Sequence, residues 1–262
     1  MKKRRLLIAA ALVSVLVLTA IRMTASYLTD VETMNNVITI GKVNITLDEG
    51  NFNPKTSVPG RVEVKAPKLK NTGGKDEYVF IKLLVPKGEV TLLYEENNAS
   101  ASPPQIKGTP IDGKKAQELF RFLTDPSIGT DVRITPASFS GGTGTYAGDI
   151  DITYHAGSDN PGLGGWVLLE EDFTGADNDA YIFGYNKKLA PTDETVTLFD
   201  KVQLKSFIDG EVVGASEIGV CCYGIQADNL ELGGIDLNVD YLDGTRLNAI
   251  LSIVKNKLAG SA

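Results

Sequence analysis

The sequence predicts a mainly β protein: an antiparallel sandwich or barrel with one or two short helices, preceded by an N-terminal signal segment. Three observations lead there. Short runs rich in Val, Ile, Thr and aromatic residues recur along the chain with an alternating pattern. Gly, Pro, Asn and Asp separate them, without the regular helical intervals that βαβ units need. Before them all stands a basic and then apolar segment of a different character.

That first segment reads as a secretory signal. Lys2, Lys3, Arg4 and Arg5 form a positive start, and Leu6 to Ile21 is an apolar run of about 16 residues, shorter than the ~20 a membrane-spanning helix needs. Ala25 supplies a small residue for cleavage before Ser26, although Met23 is unusual three positions upstream. The competing reading is an uncleaved N-terminal anchor. Cleavage removes five of the 26 basic residues and no acidic one, leaving 21 against 33 and a net charge of −12. So acidic a chain repels nucleic acid and anionic membrane surfaces, so neither is an expected partner once the signal is gone.

Strands are expected at 36–40, 42–47, 61–66, 78–85, 90–94, 149–154, 166–169, 180–185, 195–198, 202–207 and 218–226. The first two carry a detail of their own. Ile38 and Ile40 share one parity, whereas Val43, Ile45 and Leu47 share the other, and Gly41 stands between. A bulge or turn at Gly41 therefore divides two strands. The segment Asn36, Val37, Ile38, Thr39, Ile40, Gly41 is short, follows a polar tract, and can pair with an edge of its own sheet or a neighbour's. Two stretches have helical spacing: Ala116, Leu119, Phe120 and Leu123, with Asp112 as N-cap, and Leu247, Ile250, Leu251, Val254 and Leu258 near the end. Both apolar stripes are expected to pack on the sheets. The organisation that results is a signal peptide over 1–25, an N-terminal segment over 26–41, and one β domain over 42–262. An inserted loop and helix are expected around 95–161, where ENNASASPPQIKGTP is polar and broken by prolines.

Sites of chemistry are hard to find. His155 is the sole histidine, with no HExxH and no Cys/His cluster at zinc spacing. No Gly-x-Ser-x-Gly elbow supports a serine triad, so a structural or surface role is expected for His155. The glycine-rich SGGTGTYAG and NPGLGG lack the Lys-Ser/Thr of a phosphate loop and read as hairpin loops. Glu170, Glu171, Asp172, Asp177 and Asp179 could gather round a calcium ion, but their spacing is not that of an EF-hand, and a solvated acidic turn is the simpler reading. No other cofactor and no catalytic residue is expected. Cys221 and Cys222 are neighbours, and on a strand they would face opposite ways, one buried and one outward, with a mutual disulfide strained. An intermolecular link through the outward thiol is the alternative.

The signal segment followed by SYLTDVET, then Asn36, ITIGKVNITLDE, resembles the start of the TasA/camelysin family. The matching positions are Ser26, Tyr27, Leu28, Thr29, Asp30, Glu32, Thr33, Asn36, Gly41, Leu47 and Glu49. KAPKLKNTGGKDEYVFIKLLVP, the run YIFGYNKKLAPTDETVTLFDKVQLK and IGVCCYGIQA resemble later parts of the family. Cys221–Cys222 departs from it, since small or apolar residues are more usual there. The resemblance implies a jelly-roll-like β-sandwich, exported through a SipW-type signal peptidase and built into extracellular fibres of Gram-positive biofilm matrix. In such fibres the N-terminal strand of one subunit completes a sheet of the next, giving a head-to-tail homopolymer. The alternatives are a monomeric surface or adhesion module, a minor fibre component, and the metalloprotease activity attached to camelysin. The last is disfavoured here by the single imidazole.

Overall fold

A computed structural model describes residues 37–40, 45–49, 59–127, 130–134, 150–157, 164–211, 217–228, 230, 232–237, 239 and 241–259. All of them lie in the compact unit Asn35–Ala262. The signal segment 1–25, the cleavage position Ala25–Ser26, Asn36, the proposed bulge at Gly41 and the loop SGGTGTYAG fall outside the described residues.

The protein is mainly β and sandwich-like. The strands are β1 (Val37–Ile40), β2 (Ile45–Asp48), β3 (Val62–Val64), β4 (Lys68–Asn71), β5 (Glu77–Leu92), β6 (Lys115–Glu118), β7 (Phe120–Leu123), β8 (Thr130–Arg133), β9 (Thr153–Ala156), β10 (Trp166–Asp172), β11 (Asn178–Tyr185), β12 (Lys201–Leu204), β13 (Phe207–Glu211) and β14 (Gly219–Gln226). They are followed by helix α1 (Gly244–Ala259). The large sheet runs β1-β14-β5-β11-β10-β9-β8, with β6 and β13 also paired to β5. Smaller sheets join β3-β12-β7 and β2-β4. Most pairs are antiparallel; β1 with β14 and the bridge between β9 and β10 are parallel.

β5 organises the whole. The expected strands 78–85 and 90–94 are one continuous strand, whose first half pairs with β11 and β14 and whose second half pairs with β6 and β13. The exchange of partners falls around Pro86, which lacks a ladder N–H, and Gly88. The first half is apolar at both parities because both its faces are covered. Val79, Ile81, Leu83 and Val85 enter the main core with Phe122, Trp166, Tyr181, Phe183 and Phe199. Tyr78 and Phe80, on the opposite face, pack with Leu247, Ile250, Leu251 and Val254 of α1. The C-terminal helix thus packs on the sheet as its stripe predicts; the Leu258 side chain lies outside the described residues. On β11, Gly184 leaves room for this contact, since a Cβ there would lie 3.1 Å from Phe80 and 3.2 Å from Leu247.

The helix expected from Asp112 to Leu123 does not form. That stretch makes β6, turns the corner at Leu119, and continues as β7. Its spacing of 116, 119, 120 and 123 reflects a chain passing between two sheets. Glu118, Leu119 and Phe120 are all buried, and then Phe122 is buried while Arg121 and Leu123 are half-buried. Tertiary burial on both sides of the corner outweighs a weak helical period. Residues 195–198 are not a strand either, although Thr195 and Leu198 donate backbone bonds to Leu69 and Pro67.

Candidate functional site: an edge strand and buried polar groups

Val37–Ile40, the core of the expected donor strand, forms β1 at the outer position of the large sheet. It lies parallel to β14, in a register pairing Val37 with Cys222, Ile38 with Tyr223, Thr39 with Gly224 and Ile40 with Ile225. β14 is held on its other side by eight antiparallel register pairs to β5, from Gly219↔Leu84 to Gln226↔Glu77. The receiving edge is therefore fixed from within the domain, and β1 is an addition to it.

The thiols sit on this same β14. Both are free, Cys222 buried and Cys221 half-buried, as neighbours on opposite faces must be. Burial, with the Cys221 thiol alongside, pushes Cys222 up to about 11; burial also raises Cys221. Both are then protonated near neutral pH and poor nucleophiles.

His155 lies in a buried polar network. It is buried on β9, its Nε2 lies 2.7 Å from Asp200 Oδ2 and its Nδ1 lies 3.2 Å from Asp131 Oδ1. Asp200 also accepts bonds from the Thr197 hydroxyl (2.7 Å) and the Asp125 N–H (2.6 Å). The imidazole thus ties β9 to the chain entering β12. Of the structural and surface roles expected for this histidine, its burial fits the first.

The acidic tract does not converge. Glu170 pairs with Lys255, Asp172 accepts from the Thr174 N–H (2.9 Å) and hydroxyl (2.6 Å), and Asp179 faces Lys87 at 2.7 Å. Burial and the adjacent Glu170 raise Glu171 above the usual carboxylate range. Among the described residues no group of three or more His, Cys, Asp or Glu side chains is arranged to hold a metal ion.

Two polar arrangements escaped the sequence reading. The first is an open cleft of about 670 Å³ where Asp151 bridges Arg121 and Arg133, while Arg121 also reaches Glu95 at 2.9 Å. The second lies in the core. Lys87, Glu118, Asp179 and Tyr181 come from β5, β6 and β11. Asp179 and Glu118 are fully buried, and the Tyr181 hydroxyl donates to Glu118. A charged residue inside QELF, and another directly after Val-Pro, were the available signals. Both were absorbed, one by the helix reading and one by an assumed strand end.

No family model, curated protein or solved structure matches the chain.

Proposed function

We propose that the chain is an exported structural subunit of an extracellular fibre, in which Asn36–Gly41 of one copy completes the large sheet of the next. One observation carries the reading: the N-terminal strand lies at the sheet edge, joined to a β14 that β5 already anchors. Backbone pairing is indifferent to which copy supplies the strand, so the same register on β14 serves a neighbour's β1. Such an exchange is head-to-tail and does not close on itself, so it propagates. The strongly negative mature chain remains soluble until assembled. The signal-like segment and the resemblance to TasA/camelysin proteins supply the cellular setting of this proposal, including removal of residues 1–25 by a SipW-type peptidase.

The test uses protein beginning at Ser26, wild type and with Ile38→Asp plus Ile40→Asp. Burial of an isoleucine contributes roughly 1.5–3 kcal/mol, and a buried carboxylate adds a desolvation cost, so each junction weakens by several kcal/mol. Wild-type protein is expected to sediment as filaments; the double variant is expected to stay monomeric with its β circular-dichroism signal retained. Filaments from the variant, or none from the wild type under any concentration, would refute the proposal.

A further inference from the structure

We propose that Lys87 and Asp179 join through an intramolecular amide bond, with Glu118 relaying the proton. The inference does not depend on fibre assembly.

Placement comes first. In the β5–β11 pairing Asp179 stands opposite Val85 and Tyr181 opposite Leu83, and in the β5–β6 pairing Glu118 stands opposite Lys87. Positions 83, 85 and 87 of β5 share one face, so Lys87, Glu118, Asp179 and Tyr181 all project to the same side of the strands. That side is the core: Leu83, Val85, Glu118, Asp179 and Tyr181 are fully buried.

Contact comes second. Lys87 Nζ lies 2.7 Å from Asp179 Oδ1, yet neither oxygen of Asp179 has a well-aligned hydrogen-bond partner. The amine is therefore close to the carboxyl without being seated as an ordinary donor. Burial raises the Asp179 carboxyl above its usual range, with the Lys87 contact acting in the opposite sense. An ion pair in such surroundings gains less over its neutral form, amine beside carboxylic acid, because the Asp179 charge forgoes water. Neutral amine and neutral acid are the reactive pair.

The step balances within the site. A proton passes from the Lys87 ammonium to the Asp179 carboxylate. Nζ then attacks Cγ and forms the N–C bond. Glu118 takes a proton from Nζ and returns it to the departing hydroxyl as the Cγ–O bond breaks. The products are one amide and one water, and Glu118 ends as it began. No oxidant or activated donor is consumed; the holding of the two groups in contact replaces activation. Tyr181 fixes Glu118 by its hydroxyl. The water has a way out, because Lys87 also borders an open cleft of about 300 Å³ lined by Gly88, Ala116, Ala176 and Asp177.

A buried lysine elsewhere in the fold, Lys65, shows what is special here. Lys65 Nζ lies 2.5 Å from Glu49 Oε1, but the Glu49 side chain is 20% exposed. Water reaches that carboxylate, so the Glu49 charge is not cut off from solvent as the Asp179 carboxyl is.

Intact mass of the denatured wild-type protein, with peptide mapping, decides the matter. The expected result is a chain one water lighter than its processed sequence, with peptides containing Lys87 and Asp179 recovered as a single branched species and Lys65 and Glu49 in separate ones. Lys87→Arg and Asp179→Ala should restore the full mass. Glu118→Gln, which keeps shape and can still accept from Tyr181, should restore it too, while Glu118→Asp should recover the loss slowly. Wild-type protein of full sequence mass, with residues 87 and 179 in unlinked peptides, overturns the proposal and leaves a buried ion pair. A water loss that persists in Glu118→Gln overturns the role given to Glu118.

Discussion

β14 has β5 on one side and β1 on the other, and the two neighbours are held by different means. β5 meets β14 over eight register pairs and is covered on both faces, by the main core and by α1. β1 meets it over four, in parallel, at the outermost place in the sheet. Parallel pairing is slightly weaker per residue than antiparallel. A strand like β5 cannot leave without dissolving two cores, whereas β1 is the strand that the proposed fibre would exchange between copies. The contrast shows that one sheet contains both an organising element and a lightly held edge element.

The largest expected effect tests the β5 side. Phe80 is fully buried beneath α1, and Phe80→Ala should cost about 3–5 kcal/mol, read as a shift of the urea midpoint. The loss should fall on the whole domain in one cooperative transition. If α1 detached alone, with the main core intact, the claim that β5 couples the two clusters would fail.

A middle effect concerns His155. His155→Ala removes the ring that faces Asp200 at 2.7 Å and leaves a cavity in β9, so a loss of about 1–3 kcal/mol is expected. Thr197 and the Asp125 N–H still satisfy Asp200, which keeps the figure below that for an orphaned buried charge. Equal thermal stability of variant and wild type would show that the ring is dispensable to the fold.

Much of this was readable in the residues, and the failures have a common cause. The mainly β class, the α1 stripe, the short N-terminal strand and the opposed thiols all follow from local periodicity, which is a property of neighbours in sequence. The segment 112–123 was misread because its burial is set by what lies on each side of a corner at Leu119, not by its own period. Lys87, Glu118 and Asp179 were missed as a group for the same reason. They are 31 and 61 residues apart along the chain, and only pairing of β6 and β11 to the same strand brings them onto one face. Asp179 had been grouped by sequence with the acidic tract, yet its carboxyl faces Lys87 of β5.

The smallest effect sharpens the comparison from β14 itself. Cys222 stands in register with Val37 of β1 on one side and Ile81 of β5 on the other, and its own thiol is buried. Its pKa is raised from 9.0 to about 11 by burial first and by Cys221 second. For an acid whose folded pKa is the higher one, the folded state holds the proton more tightly. Stability is then unaffected below pH 9 and declines as pH rises from 9 toward 11, where the unfolded chain alone ionises. The full penalty above that window is about 2–3 kcal/mol at ~1.4 kcal/mol per unit. Tyr78, Tyr154, Tyr185 and Tyr223 are also raised by burial and act in the same direction, so the slope in wild-type protein is a sum. Cys222→Ala subtracts the thiol's part and should flatten the decline between pH 9 and 11, whereas Cys221→Ala, half-buried beside Lys82, should flatten it less. Chemical denaturation at pH 8, 9, 10 and 11 measures both. If Cys222→Ala keeps the wild-type slope, the thiol is reached by water in the folded chain, and the β14 edge under β1 is more open than the paired strand implies.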